Sequence, residues 1–176
     1  MALDQRGKGA DSECTSLAPF ITRQATVQQE GEIQLISFEI TTVINRPITE
    51  VFGFVANFEN HPTWHMVFQN VTLITSTPTG VGTAYQCKLN IPGQSAKFEI
   101  TDYEANKRLA FHGNVALFVK FKGSFLFDSV AGGTKVTLRP RPEFRGPLRL
   151  LEPLMAGFIR KQDEQVLLNL KRVLES

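Results

Sequence analysis

The chain has 176 residues, 42% hydrophobic and 20% charged, with a formal net charge of +2, a length that suits one domain burying about 70% of its unfolded surface. So even a charge balance, without an Arg/Lys-rich helix or basic–aromatic interleaving, argues against a nucleic-acid binder. Cys14 and Cys87 lie too far apart in the sequence to suggest a structural disulfide. No signal-peptide pattern or apolar run of membrane-spanning length occurs, so a cytoplasmic location is expected.

Residues 1–33 mix Gly, Ser, Thr, Gln and acids without periodicity and read as a disordered or loosely attached tail; residues 34–176 read as one folded domain. The first strand is marked by alternation of Ile36, Phe38, Ile40, Thr42 and Ile44 with Ser37, Glu39, Thr41 and Val43. Pro47 ends it, because proline brings no donor to the ladder. A short helix follows, with Thr49 as its N-cap or Pro47 in its first turn, and with Val51, Phe52 and Val55 on one face. Asn57, Asn60, His61 and Pro62 break it, and a second short turn is expected at residues 63–65. Strand-like segments then recur at 71–76, 83–90, 96–104, 108–113, 117–129 and 134–141. Pro78-Thr79-Gly80, Ile91-Pro92-Gly93, Asn106-Lys107 and Gly132-Gly133 punctuate them as hairpin turns. Connections this short dictate an antiparallel meander. From Pro147 the period turns helical, with an apolar stripe through Leu151, Met155, Phe158, Ile159, Val166, Leu170 and Val173. Pro153 either kinks this helix or opens its long section.

The run from Ile44 to Phe52 (INRPITEVF) and Phe58-Glu59-Asn60-His61-Pro62-Thr63-Trp64 resemble the opening signature of the polyketide cyclase/dehydrase and lipid-transport family, part of the START-like (SRPBCC) superfamily. Asp102-Tyr103-Glu104 before Arg108–Phe111, Gly132–Thr137, and Leu150–Leu154 leading into Leu170-Lys171 fit it in the same order, over about 140 residues. The resemblance implies an α+β helix-grip fold: a seven-stranded curved antiparallel sheet around a long C-terminal helix, with an apolar cavity between them. It implies no single activity, since carriers, receptors, aromatases and cyclases share the fold.

With 14 Phe against 2 Tyr and 1 Trp, the aromatic surface suits apolar ligands such as a lipid, an isoprenoid quinone or a polyketide-like compound. The expected function is therefore binding of such a molecule, as carrier, sequesterer or sensor. The alternative is a cyclase, aromatase or dehydratase in which His65 or His112 moves the proton. Expected ligand contacts are Trp64, His65, Tyr85, Phe98, Tyr103, His112, Phe121, Phe125, Met155 and Phe158. In the turn His61-Pro62-Thr63-Trp64-His65, the proline and tryptophan are expected to anchor the loop while both histidines stay solvated. His112 alternates out of phase with Leu109 and Phe111, so its face is open at this point. Gly123 breaks the bulky row Phe121, Phe125, Phe127 and marks either a bend or room for a ligand. No cofactor or metal is expected: the histidines and cysteines lack ligand spacing. Lys120, Lys122, Lys135, Arg139 and Arg141 fall in phase on neighbouring strands and form an expected basic face, either solvated or meeting an anionic membrane or acidic partner.

Overall fold

The structure is a computed structural model that describes residues 38–76, 78–116 and 119–176. Seven strands are present: β1 (Ile40–Ile44), β2 (Phe68–Leu73), β3 (Ala84–Leu89), β4 (Ser95–Glu104), β5 (Arg108–Ala116), β6 (Val119–Val130) and β7 (Gly133–Phe144). All pairings are antiparallel, in the order β1-β7-β6-β5-β4-β3-β2. Short hairpins make the meander β2 to β7. The chain reaches β2 from β1 by crossing the sheet through α1 (Ile48–Ala56) and a 3-10 turn (Phe58–Thr63). A second 3-10 turn (Gly146–Leu151) leads into α2 (Glu152–Glu175), with Pro153 in its first turn, where its missing N–H costs nothing. Ile36 and Leu117, read above as strand residues, lie outside the described residues, as do the expected tail and Cys14.

The strands alternate as their sequence demands. Ile40 and Ile44 of β1, Phe125 and Phe127 of β6, and Val136 and Leu138 of β7 point to the concave side and are buried there. α1 begins one residue after Pro47 with no side-chain cap, and Thr49 lies inside it. Its Val51, Phe52 and Val55 are buried, and Phe52 meets Phe127 and Tyr103 edge-on at 5.1 and 5.3 Å.

Two cross-strand Gly–Phe pairs bend the sheet. Phe98 lies opposite Gly113 and Phe111 opposite Gly123, each ring lying over the glycine of its neighbour. A Cβ built on Gly123 would sit 2.7 Å from Phe111 Cζ, and one on Gly113 would sit 2.5 Å from Phe98 Cδ1. The Phe111 ring therefore fills the space at Gly123, which corrects the reading of that gap as room for a ligand. Bulges at Ile100/Asp102 and Asn114/Ala116 add curvature. The first leaves Thr101 unpaired, so Tyr103 shares the inner face with Phe98 and Ile100 despite its opposite parity. Pro140 and Pro142 fit within β7 because the pairing of β1 ends at Ile40–Leu138 and asks no donor of them. At the β6–β7 hairpin, Gly132 and Gly133 have φ of +85° and +145°, the freedom their dipeptide signals.

α2 returns along β1. Its C-terminal end is held by Arg46 Nε donating to Leu174 O at 2.6 Å and by Glu175 accepting from Asn45 N at 2.7 Å. Its buried face is Asp163, Val166, Leu167, Leu170 and Leu174. Leu151 and Phe158, expected on the buried stripe, are exposed, because the covered face begins only at Asp163.

Candidate functional site

The concave sheet face and α2 enclose an aromatic cluster. Phe58 stacks on Tyr85 at 5.0 Å and meets Phe111 edge-on at 5.4 Å; Phe111 stacks near Phe121 and Phe125; Phe98 meets Phe68 at 5.5 Å. Of the expected ligand contacts, Trp64, His65, Tyr85, Phe98, Tyr103, Phe121 and Phe125 belong to this interior. Met155 is partly buried on α2, and Phe158 is 57% exposed, outside it. His112 falls on the convex face, opposite Glu99 and Lys122 in register.

The histidines of the 61–65 turn are not both solvated. His61 is buried, its Nε2 bonded to Val55 O at 2.9 Å, so it ties the 3-10 turn to the end of α1. Burial pulls its pKa down to about 3 and keeps it neutral. The solvation expected for this turn fails for His61, which the 3-10 geometry packs 4.2 Å from Phe58 and 4.6 Å from Trp64; His65, just beyond the turn, is partly exposed but lays its ring 4.6 Å from Phe68 with Nδ1 sealed from solvent. Burial lowers the His65 pKa to about 4; its own backbone carbonyl only partly offsets this, and its Nδ1 lacks hydrogen-bond geometry to any protein atom.

Among the described residues three more buried polar atoms lack a hydrogen bond: Arg139 Nε, which is ion-paired with Glu39 on the convex face, and one atom each of Trp64 and Asp163. Trp64 is 2% exposed, packs against Phe125 at 6.2 Å, and its Nε1–H meets no acceptor in the protein. Asp163 is 6% exposed, and among the described residues it makes no hydrogen bond or ion pair; its Oδ2 is sealed from solvent. Desolvation pushes its carboxyl up to about 7. Asn169 Nδ2 donates to Trp64 O at 3.3 Å and fastens α2 to the turn. Asp163 lies about 9 Å along the axis from Asn169, toward the start of the helix. Near neutrality the interior holds an unionised imidazole and an indole donor, and α2 adds a buried carboxyl with its pKa raised to about 7. Such groups can hold a ligand's oxygen functions or exchange a proton with them.

Sequence reading missed Asp163. The signal was present: positions 159, 163, 166, 170 and 174 form the helix's inner stripe, and a lone carboxylate interrupts it. Other polar groups are accounted for. The Tyr85 pKa is raised by burial, partly offset by the nearby Thr79 side chain and Phe58 backbone. Buried Cys87 has its thiol pushed up to about 12 and is inert.

The basic face exists as a geometric fact. Lys120, Lys122, Lys135, Arg139 and Arg141 all project from the convex side, and all but Lys135 line an open concavity of about 520 Å³ together with His112. Three of these cations are already engaged: Lys122 with Glu143 at 2.6 Å, Lys135 with Asp128 at 3.0 Å and Arg139 with Glu39 at 2.7 Å. Arg139 and Arg141 therefore do not reach the interior. Among the described residues no helix is long and apolar enough to cross a membrane.

Comparison with known proteins agrees with this architecture. The Zhui aromatase/cyclase from Streptomyces sp. R1128 superposes with a TM-score of 0.68 at 11% identity, over 81% of this chain and 94% of that one. A protein from Rhizobium leguminosarum gives 0.61 at 18% identity, over 79% and 93%. The di-domain aromatase/cyclase StfQ of the steffimycin biosynthetic pathway gives 0.66 at 9% identity, over 80% of this chain and 51% of that one. At these identities the likeness shows the fold. No curated protein matches the sequence. The family described as polyketide cyclase/dehydrase and lipid transport matches residues 36–175, and the chain belongs to it.

Proposed function

We propose that the protein binds an apolar, ring-bearing small molecule between the concave sheet face and α2, with Trp64, His65 and Asp163 receiving its oxygen substituents. The observation that carries this reading is the set of three buried polar atoms, Trp64 Nε1, His65 Nδ1 and Asp163 Oδ2, without partners in an otherwise apolar, Phe-lined interior. A buried polar group left unpaired costs about 1–3 kcal/mol, and a ligand that pairs them recovers it. Apolar burial would supply most of the affinity and the polar atoms the orientation.

A second reading is an enzyme of the cyclase, aromatase or dehydratase kind; the Zhui and StfQ proteins are aromatase/cyclases. Asp163 favours it, because a carboxyl near 7 serves as acid or base at neutral pH, with neutral His65 as the second proton carrier. Native mass spectrometry of the full chain, followed by organic extraction, tests the shared claim. A stoichiometric apolar adduct is expected, and its absence across several expression hosts refutes it. Incubating the extracted ligand with fresh protein separates the two readings. A carrier returns it unchanged, whereas a dehydratase returns a product lighter by one water.

A further inference from the structure

The most exposed apolar side chains of the described residues lie with cations that form no ion pair at one end of the molecule, although Ile74 and Val81 are exposed at the other. Leu150 and Leu154 are 85% and 78% exposed, and with Leu151 and Phe158 they lie at spacings that bring them close to one side of the helical segment. The sheet register fixes which end this is. β7 finishes at Phe144, paired with Val119 at the start of β6; β5 finishes at Ala116 beside it; Ser95 opens β4 opposite Lys88. The β3–β4 tip with exposed Ile91 therefore lies at the same end as the start of α2. So does exposed Met66, whose carbonyl accepts from Asn90 Nδ2 at 2.5 Å.

Charge is polarised along the same axis. Lys88, Lys120, Arg141, Arg145, Arg149 and Lys161 cluster toward this end, and among the described residues none forms an ion pair. Of the carboxylates there, Glu143 pairs with Lys122 at 2.6 Å and also feels Lys120 and Arg145, and Glu152 opens α2, so the cations outnumber the acids. At the opposite end most cations are matched: Arg46 with Glu50, Lys107 with Glu104, Arg108 with Asp102, Lys135 with Asp128 and Lys171 with Glu175, while Arg172 bonds only to Asn169 Oδ1.

We propose that this end docks on an anionic lipid bilayer, with Leu150, Leu154 and Phe158 entering the acyl boundary and the surrounding lysines and arginines meeting the headgroups. An apolar stripe flanked by cations is the composition that partitions to such interfaces. Each nearby cation adds to the attraction, and salt weakens it. A second copy of the chain is the poorer occupant, because a symmetric contact would set these unpaired cations against themselves. Docked this way, the first turns of α2 and the 64–66 turn would face the bilayer, which gives an apolar ligand a path that avoids water.

Flotation of the full chain with vesicles tests this. Phosphatidylcholine vesicles containing phosphatidylglycerol should retain the protein, with binding weaker by about tenfold or more on phosphatidylcholine alone or in high salt. The double variant Leu154→Glu/Phe158→Glu should lose binding while keeping the wild-type unfolding midpoint, because both side chains are exposed. Arg145→Glu/Arg149→Glu should weaken it selectively on anionic vesicles. Failure of the wild type to float, equal flotation of the variants, or loss of fold in the Leu154→Glu/Phe158→Glu protein would overturn the proposal. So would concentration-dependent self-association, abolished by that variant, in a protein that ignores vesicles.

Discussion

Replacing Asp163 with Asn keeps the shape of the side chain and removes its titration. An acid raised from 3.8 to about 7 holds an extra proton in the native state across that interval, so its contribution to stability falls as pH rises through it. The penalty on the wild type is roughly 2 kcal/mol near pH 5 and roughly 4 kcal/mol near pH 8. Asp163→Asn should therefore gain stability relative to wild type by about 2–3 kcal/mol between those two pH values, whatever constant offset the amide adds. His61 and His65 act in the opposite sense. Pulled down to about 3 and about 4, they make stability rise as pH climbs from there toward the ordinary imidazole value of 6.5. Both histidines remain in the variant, so their contributions largely cancel in the difference. Urea unfolding at several pH values, extrapolated linearly, gives the numbers. A difference that stays flat between pH 5 and 8 would mean that Asp163 titrates like a solvated carboxyl. Its role in the interior would then be lost.

Other substitutions probe the frame around the site. Gly133→Ala should destabilise by at least about 3 kcal/mol, since the new Cβ would run into the Ile44 carbonyl at a φ of +145°; chemical denaturation reads this. Gly123→Ala should cost less, about 1–3 kcal/mol, because it meets the tip of the Phe111 ring and not backbone. Gly123→Leu should lose stability and ligand binding together, and a loss of binding alone would mean that the Phe111 ring leaves open space. His61→Leu removes the bond to Val55 O and should cost about 1–3 kcal/mol while abolishing part of the acid-induced unfolding below pH 6. Cys87 should resist alkylation until the protein unfolds, read by peptide mapping after pulse labelling.

Much of the architecture was legible in the chain because period and punctuation speak locally. Alternation along Ile40–Ile44, the Gly132-Gly133 turn and the helical period after Pro147 each require only neighbouring residues, and together they give a meander closed by one helix. The site was harder to read because it depends on what lies across the sheet. Gly123 looks like a gap in its own strand and is filled by Phe111 of the next. Tyr103 has the wrong parity until the bulge at Thr101 turns it inward. His61 sits in a polar stretch of sequence, yet the 3-10 turn buries it, and His65 just beyond packs its ring on Phe68. Asp163 hides among the charges of α2, and only the docking of the helix separates it from solvated Lys161 and partly exposed Glu164.

Trp64 is the only tryptophan in the chain and lies inside the proposed site, so its fluorescence reports directly on occupancy. Titrating the full chain with a hydroxylated anthraquinone, an apolar ring system with oxygen substituents, should quench Trp64 saturably at one equivalent. Asp163→Asn and His65→Ala, both still folded by circular dichroism, should weaken that binding by about tenfold, the worth of one buried hydrogen bond. Quenching that never saturates, or that is equal in wild type and both variants, would contradict a ligand site built on these three residues.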